Sequence, residues 1–177
     1  MIEQFIRGRI GVFIDDSNLF HSQRTMGWKV DYRRLLEYLR SHSNPNIVVR
    51  IYTPIKTNDI GRENFANKLQ RIGYSVVRKE TKVIRGEVGD LFKGNLDIEL
   101  ALDAYRYCDE YDNLVLFSGD SDFAYLLDVL KEKGKTAIVI SSRKHISREL
   151  IARSKFVILN RLRKYIEWNP VPVQTPL

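Results

Sequence analysis

Two apolar segments of this chain, about a hundred residues apart, both end in acidic side chains. The first is Val12-Phe13-Ile14, followed by Asp15-Asp16-Ser17-Asn18; the second is Leu116-Phe117, followed by Ser118-Gly119-Asp120-Ser121-Asp122. Short, continuous apolar runs read as strands buried on both faces, the habit of a parallel sheet. Open α/β sheets bind their ligands beyond the carboxyl ends of such strands. The two acidic ends therefore predict carboxylates gathered in one crevice. Left without a cation they repel one another and their pKa values rise. Carboxylate and water oxygens suit hard divalent ions, Mg²⁺ or Mn²⁺. Such an ion can promote in-line hydrolysis of a phosphodiester.

Asp97 joins this set through its expected place at the start of a helix that leads into the second strand. A crossover helix runs antiparallel to the strands it connects, so its first turn lies at their carboxyl edge. Asp103 is six residues further on, about 9 Å along the axis and turned away; it is expected to be capped, paired or behind the ligands. The metal ligands are thus expected to be Asp15, Asp97 and Asp120, with Asp122 as a further catalytic carboxylate acting directly or through water. Asn18 can hold a scissile phosphate or an attacking water, Ser17 and Ser118 can orient carboxylates, and Gly119 permits the tight turn that aims Asp120. Lys93 can contact phosphate or neutralise a carboxylate.

Plainer readings compete at several positions. An Asp after a strand is commonly a helix N-cap, and Asp16 reads as a solvated or capping side chain. His21, His42 and His145 lack zinc-ligand spacing, and the single Cys108 supports neither a disulfide framework nor a zinc site. No Gly-rich phosphate loop or Gly-x-Ser-x-Gly elbow is present.

The elements that must position these residues follow from the pattern of the chain. Strands are expected at 9–14, 47–52, 74–78, 113–117, 136–140 and 156–159. Helices are expected at 30–39, with Asp31 as N-cap, at 61–72 ending on Gly73, and at 95–109, 122–133, 147–154 and 161–166. Asn44-Pro45-Asn46 reads as a turn, and Lys79 to Gly94, with Gly86 and Gly89, as a hairpin extension or a mobile loop. Alternation of strands and helices predicts an α/β/α sandwich around a mostly parallel sheet. The length of 177 residues suits one domain over residues 1–167, with 168–177 as a proline-rich, unpacked tail. Hydrophobic content of 44% and charged content of 29% are those of a soluble globular protein. No apolar run reaches membrane-spanning length and the N-terminus lacks a secretory h-region, so a cytoplasmic protein without membrane contact is expected. A net charge of +7 around an acidic pocket suits a polyanionic ligand held to metal ions, and fits equally a soluble, lysine-rich surface.

Three ordered motifs carry a family resemblance. They are Phe13-Ile14-Asp15-x-x-Asn18-Leu19, Lys93-Gly94-x-x-Asp97-Ile98-x-Leu100-Ala101-x-Asp103 and Ser118-Gly119-Asp120-Ser121-Asp122-Phe123. Together they resemble the NYN domain of the PIN-like nuclease superfamily, which includes the LabA-like bacterial proteins, over residues 8 to 160. The resemblance implies a Rossmann-like sheet of order near 3-2-1-4-5 and a metal-dependent ribonuclease with acidic residues at Asp15, Asp97, Asp120 and Asp122. Many such proteins carry an acidic residue just before the last short strand, where this chain has Ser154-Lys155-Phe156; this departure leaves a second metal site open, whereas Asp122 can complete a one-metal site. The leading expectation is an endoribonuclease, with Tyr52 or Phe92 as candidate base-stacking residues. Two other readings stay open: a non-catalytic RNA-binding or regulatory LabA-like module, and a phosphatase or DNA nuclease using the same carboxylates. Exposed helix faces leave room for a homodimer.

Overall fold

The sheet is built outward from its first strand. β1 (Ile10–Asp15) lies at the centre, and the chain adds β2 (Val49–Lys56) and β3 (Ser75–Ile84) in parallel on one side. It then returns to the other side of β1 with β5 (Asn113–Phe117), β6 (Thr136–Ser141) and β7 (Lys155–Ile158), also parallel. A short β4 (Leu91–Lys93) folds back antiparallel on β3, giving the order β4-β3-β2-β1-β5-β6-β7. The computed structural model describes residues 2–43, 47–84, 91–93 and 95–169, with backbone alone at 82–84 and 91–93. The expected Asn44-Pro45-Asn46 turn, Gly86, Gly89 and Gly94, the side chains of Phe92 and Lys93, and the tail beyond Asn169 lie outside the described residues.

Helices cover both faces. α1 (Asp16–Met26), α2 (Tyr32–Ser41), α3 (Ile60–Ile72) and α7 (Arg163–Ile166) lie on one; α4 (Asp97–Arg106), α5 (Ala124–Glu132) and α6 (Arg148–Arg153) lie on the other. Strand alternation supplies the two cores. Val12, Ile14, Ile51, Val115 and Phe117 face Leu19, Leu35, Leu39 and Leu69. Phe13, Tyr52, Leu114, Leu116 and Val139 face Leu100, Ala104, Leu127 and Leu150. The expected α/β/α sandwich is what the chain forms.

Local chemistry explains most boundaries. Asp31 caps α2, its carboxylate accepting from the N–H groups of Arg33 and Arg34. α3 stops at Gly73, whose φ of 114° is a conformation that glycine tolerates best. β2 runs on through Pro54 to Lys56, beyond the expected Tyr52, because β1 ends opposite Tyr52 and leaves that edge of the strand unpaired. α1 has no counterpart in the sequence-based assignment: it buries only Asp16, Leu19 and Ser22, too few apolar residues to show a helical period. At the other end, the Trp168 N–H donates to the Lys29 carbonyl at 2.8 Å, beside a bridge from Val30 to Glu167.

Candidate functional site

β1 and β5 are neighbours in the sheet, yet the chain leaves them in opposite directions across it. Their carboxyl ends therefore flank the switch point at which open α/β sheets bind ligands. Ile14 pairs with Phe117, so Asp15 and Ser118 come next on the two strands. The Ser118 hydroxyl donates to Asp15 Oδ2 at 3.0 Å and accepts from the Asp120 N–H at 3.2 Å. Asp15 also caps α1, its Oδ1 accepting from the Asn18 N–H at 3.1 Å. Asn18 returns the connection: its Oδ1 accepts from the Gly119 N–H at 3.0 Å, which leaves its –NH₂ as the group it can offer to a ligand.

Asp120 caps the 3-10 turn over Ser121–Phe123 by accepting from the Asp122 N–H at 3.1 Å. Asp97 begins α4, and its N–H is held at 2.7 Å by the Asn95 side chain. These folds bring one oxygen each of Asp97, Asp120 and Asp122 within 4.8 Å of one another. Asp15 stands outside that trio but lines the same cleft as Asp97 and Asp120, a space of about 610 Å³. The sequence pattern paired Asp15 with Asp97 and Asp120; the geometry instead groups Asp122 with the latter two and leaves Asp15 adjoining.

Electrostatics follow from the crowding. Burial pushes the Asp15 carboxyl up to about 6, against the lowering effect of its bonds from Asn18 and Ser118, with the charges of Asp97 and Asp16 adding to the rise. Asp97 is raised first by burial and then by the charges of Asp120, Asp122 and Glu99, while the Asn95 bond lowers it. Three mutually repelling carboxylates with no His or Cys among them fit a hard, oxygen-preferring divalent cation.

Other expected residues resolve differently. Asp16 is not solvated: at 1% exposure it accepts from Arg62 at 2.6 Å, Thr53 at 2.7 Å and Tyr32 at 3.2 Å. Alternation sends it to the face opposite Asp15, where Thr53 and α3 supply its partners. Gly119 is required for closeness rather than for its backbone angle, since a Cβ there would collide with the His145 carbonyl oxygen and crowd Ser141. Tyr52 offers no stacking surface: it is 2% exposed, lies against Phe13, and donates its hydroxyl to Asp103 at 2.9 Å. That bond gives Asp103 its place behind the cleft. Ser154 donates to the Leu150 carbonyl, and Lys155 pairs with Ile138, three residues before the end of β6. The position before β7 thus lies toward the opposite edge of the sheet, and its lack of a carboxylate takes nothing from the cleft. His21 and Lys56 also line the cleft; no motif pointed to Lys56, which sits beyond the expected end of its strand. The Lys93 side chain lies outside the described residues.

Comparison with known proteins gives a consistent picture. The NYN domain model matches residues 9–160. Low amplitude and bright protein LabA of Synechococcus elongatus is 35% identical over 173 residues, covering 95% of this chain and 92% of that protein. A crystal structure of a protein of unknown function from Vibrio parahaemolyticus superposes with a TM-score of 0.74 at 22% identity, over 90% of this chain and 96% of that one. The last likeness speaks to the fold alone.

Proposed function

The chain belongs to the NYN domain family, and on that premise we propose that it is a metal-dependent endoribonuclease. The observation that carries the reading is the convergence of Asp97, Asp120 and Asp122 within 4.8 Å beside the perturbed carboxyl of Asp15. In this reading Asp97, Asp120 and Asp122 hold Mg²⁺ or Mn²⁺, and Asp15 adjoins them from β1. The bound ion supplies charge neutralisation and Lewis-acid polarisation for phosphodiester hydrolysis. Ser118 fixes the Asp15 carboxylate through its hydroxyl and the Asp120 backbone through its oxygen, so that one side chain sets the separation of two acidic groups. Asn18, anchored by Gly119, directs its –NH₂ to a phosphate oxygen or a water in the cleft. Lys56 and Lys93 complement the charge of an incoming strand. Residues 1–167 act as one domain, and the protein works in the cytoplasm.

The test is incubation of the purified protein with labelled mixed-sequence single-stranded RNA in Mn²⁺, Mg²⁺ or EDTA, beside the Asp97→Asn/Asp120→Asn variant. Cleavage that needs a divalent ion and disappears in the variant supports the reading. Equal turnover of DNA or of a small phosphoester would move it to a broader phosphodiesterase or phosphatase. RNA retained without cleavage by both proteins would mark a binding or regulatory module. That rival draws on the capping bonds of Asp15 and Asp120, which serve the fold whether or not chemistry occurs.

A further inference from the structure

A second cavity, of about 790 Å³, opens on the α1 and α3 side of the sheet. Both tryptophans of the chain, Trp28 and Trp168, line it together with Phe20, Tyr32 and Phe65. Phe20 is 46% and Trp168 48% exposed, although large rings normally bury more fully when no partner is present. The Trp168 ring is carried on fixed backbone: its N–H is bound to Lys29, and the Arg34 guanidinium donates to the neighbouring Glu167 carbonyl at 2.8 Å.

The charge of the wall is one-sided. Arg24, Lys29, Arg33, Arg62 and Lys68 stand against two carboxylates, Asp16 and Asp31. Both carboxylates are already engaged, Asp16 with Arg62 and Asp31 with the first turn of α2. Among the described residues, Arg24, Lys29, Arg33 and Lys68 form no ion pair. Two of these cations lie at ring faces, Arg24 at 6.0 Å from the centroid of Phe20 and Lys29 at 5.9 Å from that of Trp168. Exposed rings bordered by unpaired cations suit a ligand that is flat and aromatic at one end and anionic at the other. A base stacked on protein rings with its phosphate at Lys or Arg is that ligand. An acyl chain would satisfy the apolar wall but gains nothing from ring geometry.

The position adds to the chemistry. α1 is the partition between the two cavities: Ser17, Asn18 and His21 face the carboxylate cleft, whereas Asp16, Phe20, Gln23 and Arg24 face the aromatic one. The thickness of one helix, about 10 Å, separates them. A short run of single-stranded RNA can cross that distance.

We propose that the cavity between α1, α3 and Trp168 binds a nucleotide unit, its base on Phe20 and Trp168 and its phosphate at Arg24 and Lys68. The unit is either a free nucleotide or one residue of an RNA strand that continues into the cleft; only the second form rests on the ribonuclease reading.

The tryptophans make the test direct, because both of them report on this cavity. The full chain carrying Asp97→Asn/Asp120→Asn is titrated in EDTA with adenosine 5′-monophosphate and, separately, with a short single-stranded RNA, following tryptophan fluorescence. Saturable quenching is expected. Adding Arg24→Gln/Lys68→Gln should weaken it about tenfold with the melting temperature unchanged. For RNA the same change should flatten the log–log salt dependence by about 0.7, the value for the one phosphate that is no longer neutralised. Quenching by the mononucleotide assigns the free ligand, and quenching by RNA alone assigns the strand; both uphold the site. Fluorescence indifferent to both probes overturns it, as does quenching unaffected by Arg24→Gln/Lys68→Gln and by Phe20→Ala, or quenching by decanoate alone. RNA binding with silent tryptophans would defeat this proposal and leave the cleft reading intact; a tryptophan response in a protein that never cleaves RNA would do the reverse.

Discussion

Replacing Asp15 by Asn should make the metal-free protein more stable at neutral pH, although it removes a hydrogen-bonded, helix-capping side chain. The Asp15 carboxyl lies at about 6 in the folded protein, against an ordinary value of 3.8. Because the folded state holds this proton more tightly, its contribution to stability is present below about pH 4 and lost as pH rises through about 6. The gap is worth roughly 3 kcal/mol at pH 7. Asn keeps one oxygen for the Asn18 N–H and can donate its –NH₂ to the Ser118 oxygen, so the two contacts at 3.1 and 3.0 Å survive in weaker form. Losing their ionic character costs about 1 kcal/mol. The net gain is about 2 kcal/mol at pH 7 and near zero at pH 4.5, which for a chain of this size corresponds to about 4–8 °C in Tm at pH 7. Urea unfolding in EDTA across that pH range measures it. With saturating Mn²⁺ the order should narrow or reverse, since wild type gains about 2.7 kcal/mol at a hundredfold excess over Kd and the variant gains less. A loss of 1 kcal/mol or more at pH 7 in EDTA would refute the reasoning, because it would show that the cap outweighs the confined charge.

Three further outcomes follow from the same geometry. Asp97→Asn/Asp120→Asn should abolish the Mn²⁺-induced rise in Tm while leaving Tm in EDTA equal or higher; a retained metal shift would remove the trio from consideration. Gly119→Ala should cost about 3 kcal/mol in denaturant unfolding, because the new methyl group meets the rigid carbonyl of His145 rather than a movable side chain; a near-neutral result would mean that the loop over 142–147 yields easily. Arg62→Met should cost about 2–4 kcal/mol, since it strands the buried Asp16 carboxylate with two hydroxyl donors, yet should leave the metal-induced Tm shift in place. Calorimetric unfolding with and without Mn²⁺ checks both halves of that statement.

Much of the frame was legible because its signals are local. β5 is a continuous apolar run and was bounded correctly at both ends, and Asp31 and Gly73 announce the start of one helix and the end of another by their own chemistry. The alternation of strands and helices points to a parallel sheet covered on both faces, and the order around β1 that the family resemblance implied is what brings Asp15, Asp97 and Asp120 to one edge. What escaped was whatever depended on a distant partner. α1 is held by a cap and by buried polar groups, such as Ser22 bonded to Ser142 at 3.3 Å, and not by an apolar stripe. β2 could not be followed through Pro54 without knowing where β1 ends.

Asp15 and Asp16 show why adjacency in sequence says so little about role. Strand alternation turns one carboxylate toward α4 and the other toward α3. On the first side the partners are a backbone N–H, a hydroxyl and other carboxylates, so the charge is confined and answers to protons or to a cation. On the second side Arg62 supplies the compensating charge from within the chain, which frees that carboxylate from any need for an external ion. A local reading sees two acidic residues after a strand and takes the second for a solvated or capping side chain. The difference resides in Thr53 and Arg62, more than thirty residues away. The division also sets the character of the two cavities that α1 separates: the one beside Asp15 keeps unneutralised negative charge, whereas the one beside Asp16 has that charge cancelled by Arg62 and retains its remaining cations. A polyanion therefore meets cations without an ion pair among the described residues in the second cavity and unneutralised carboxylates in the first.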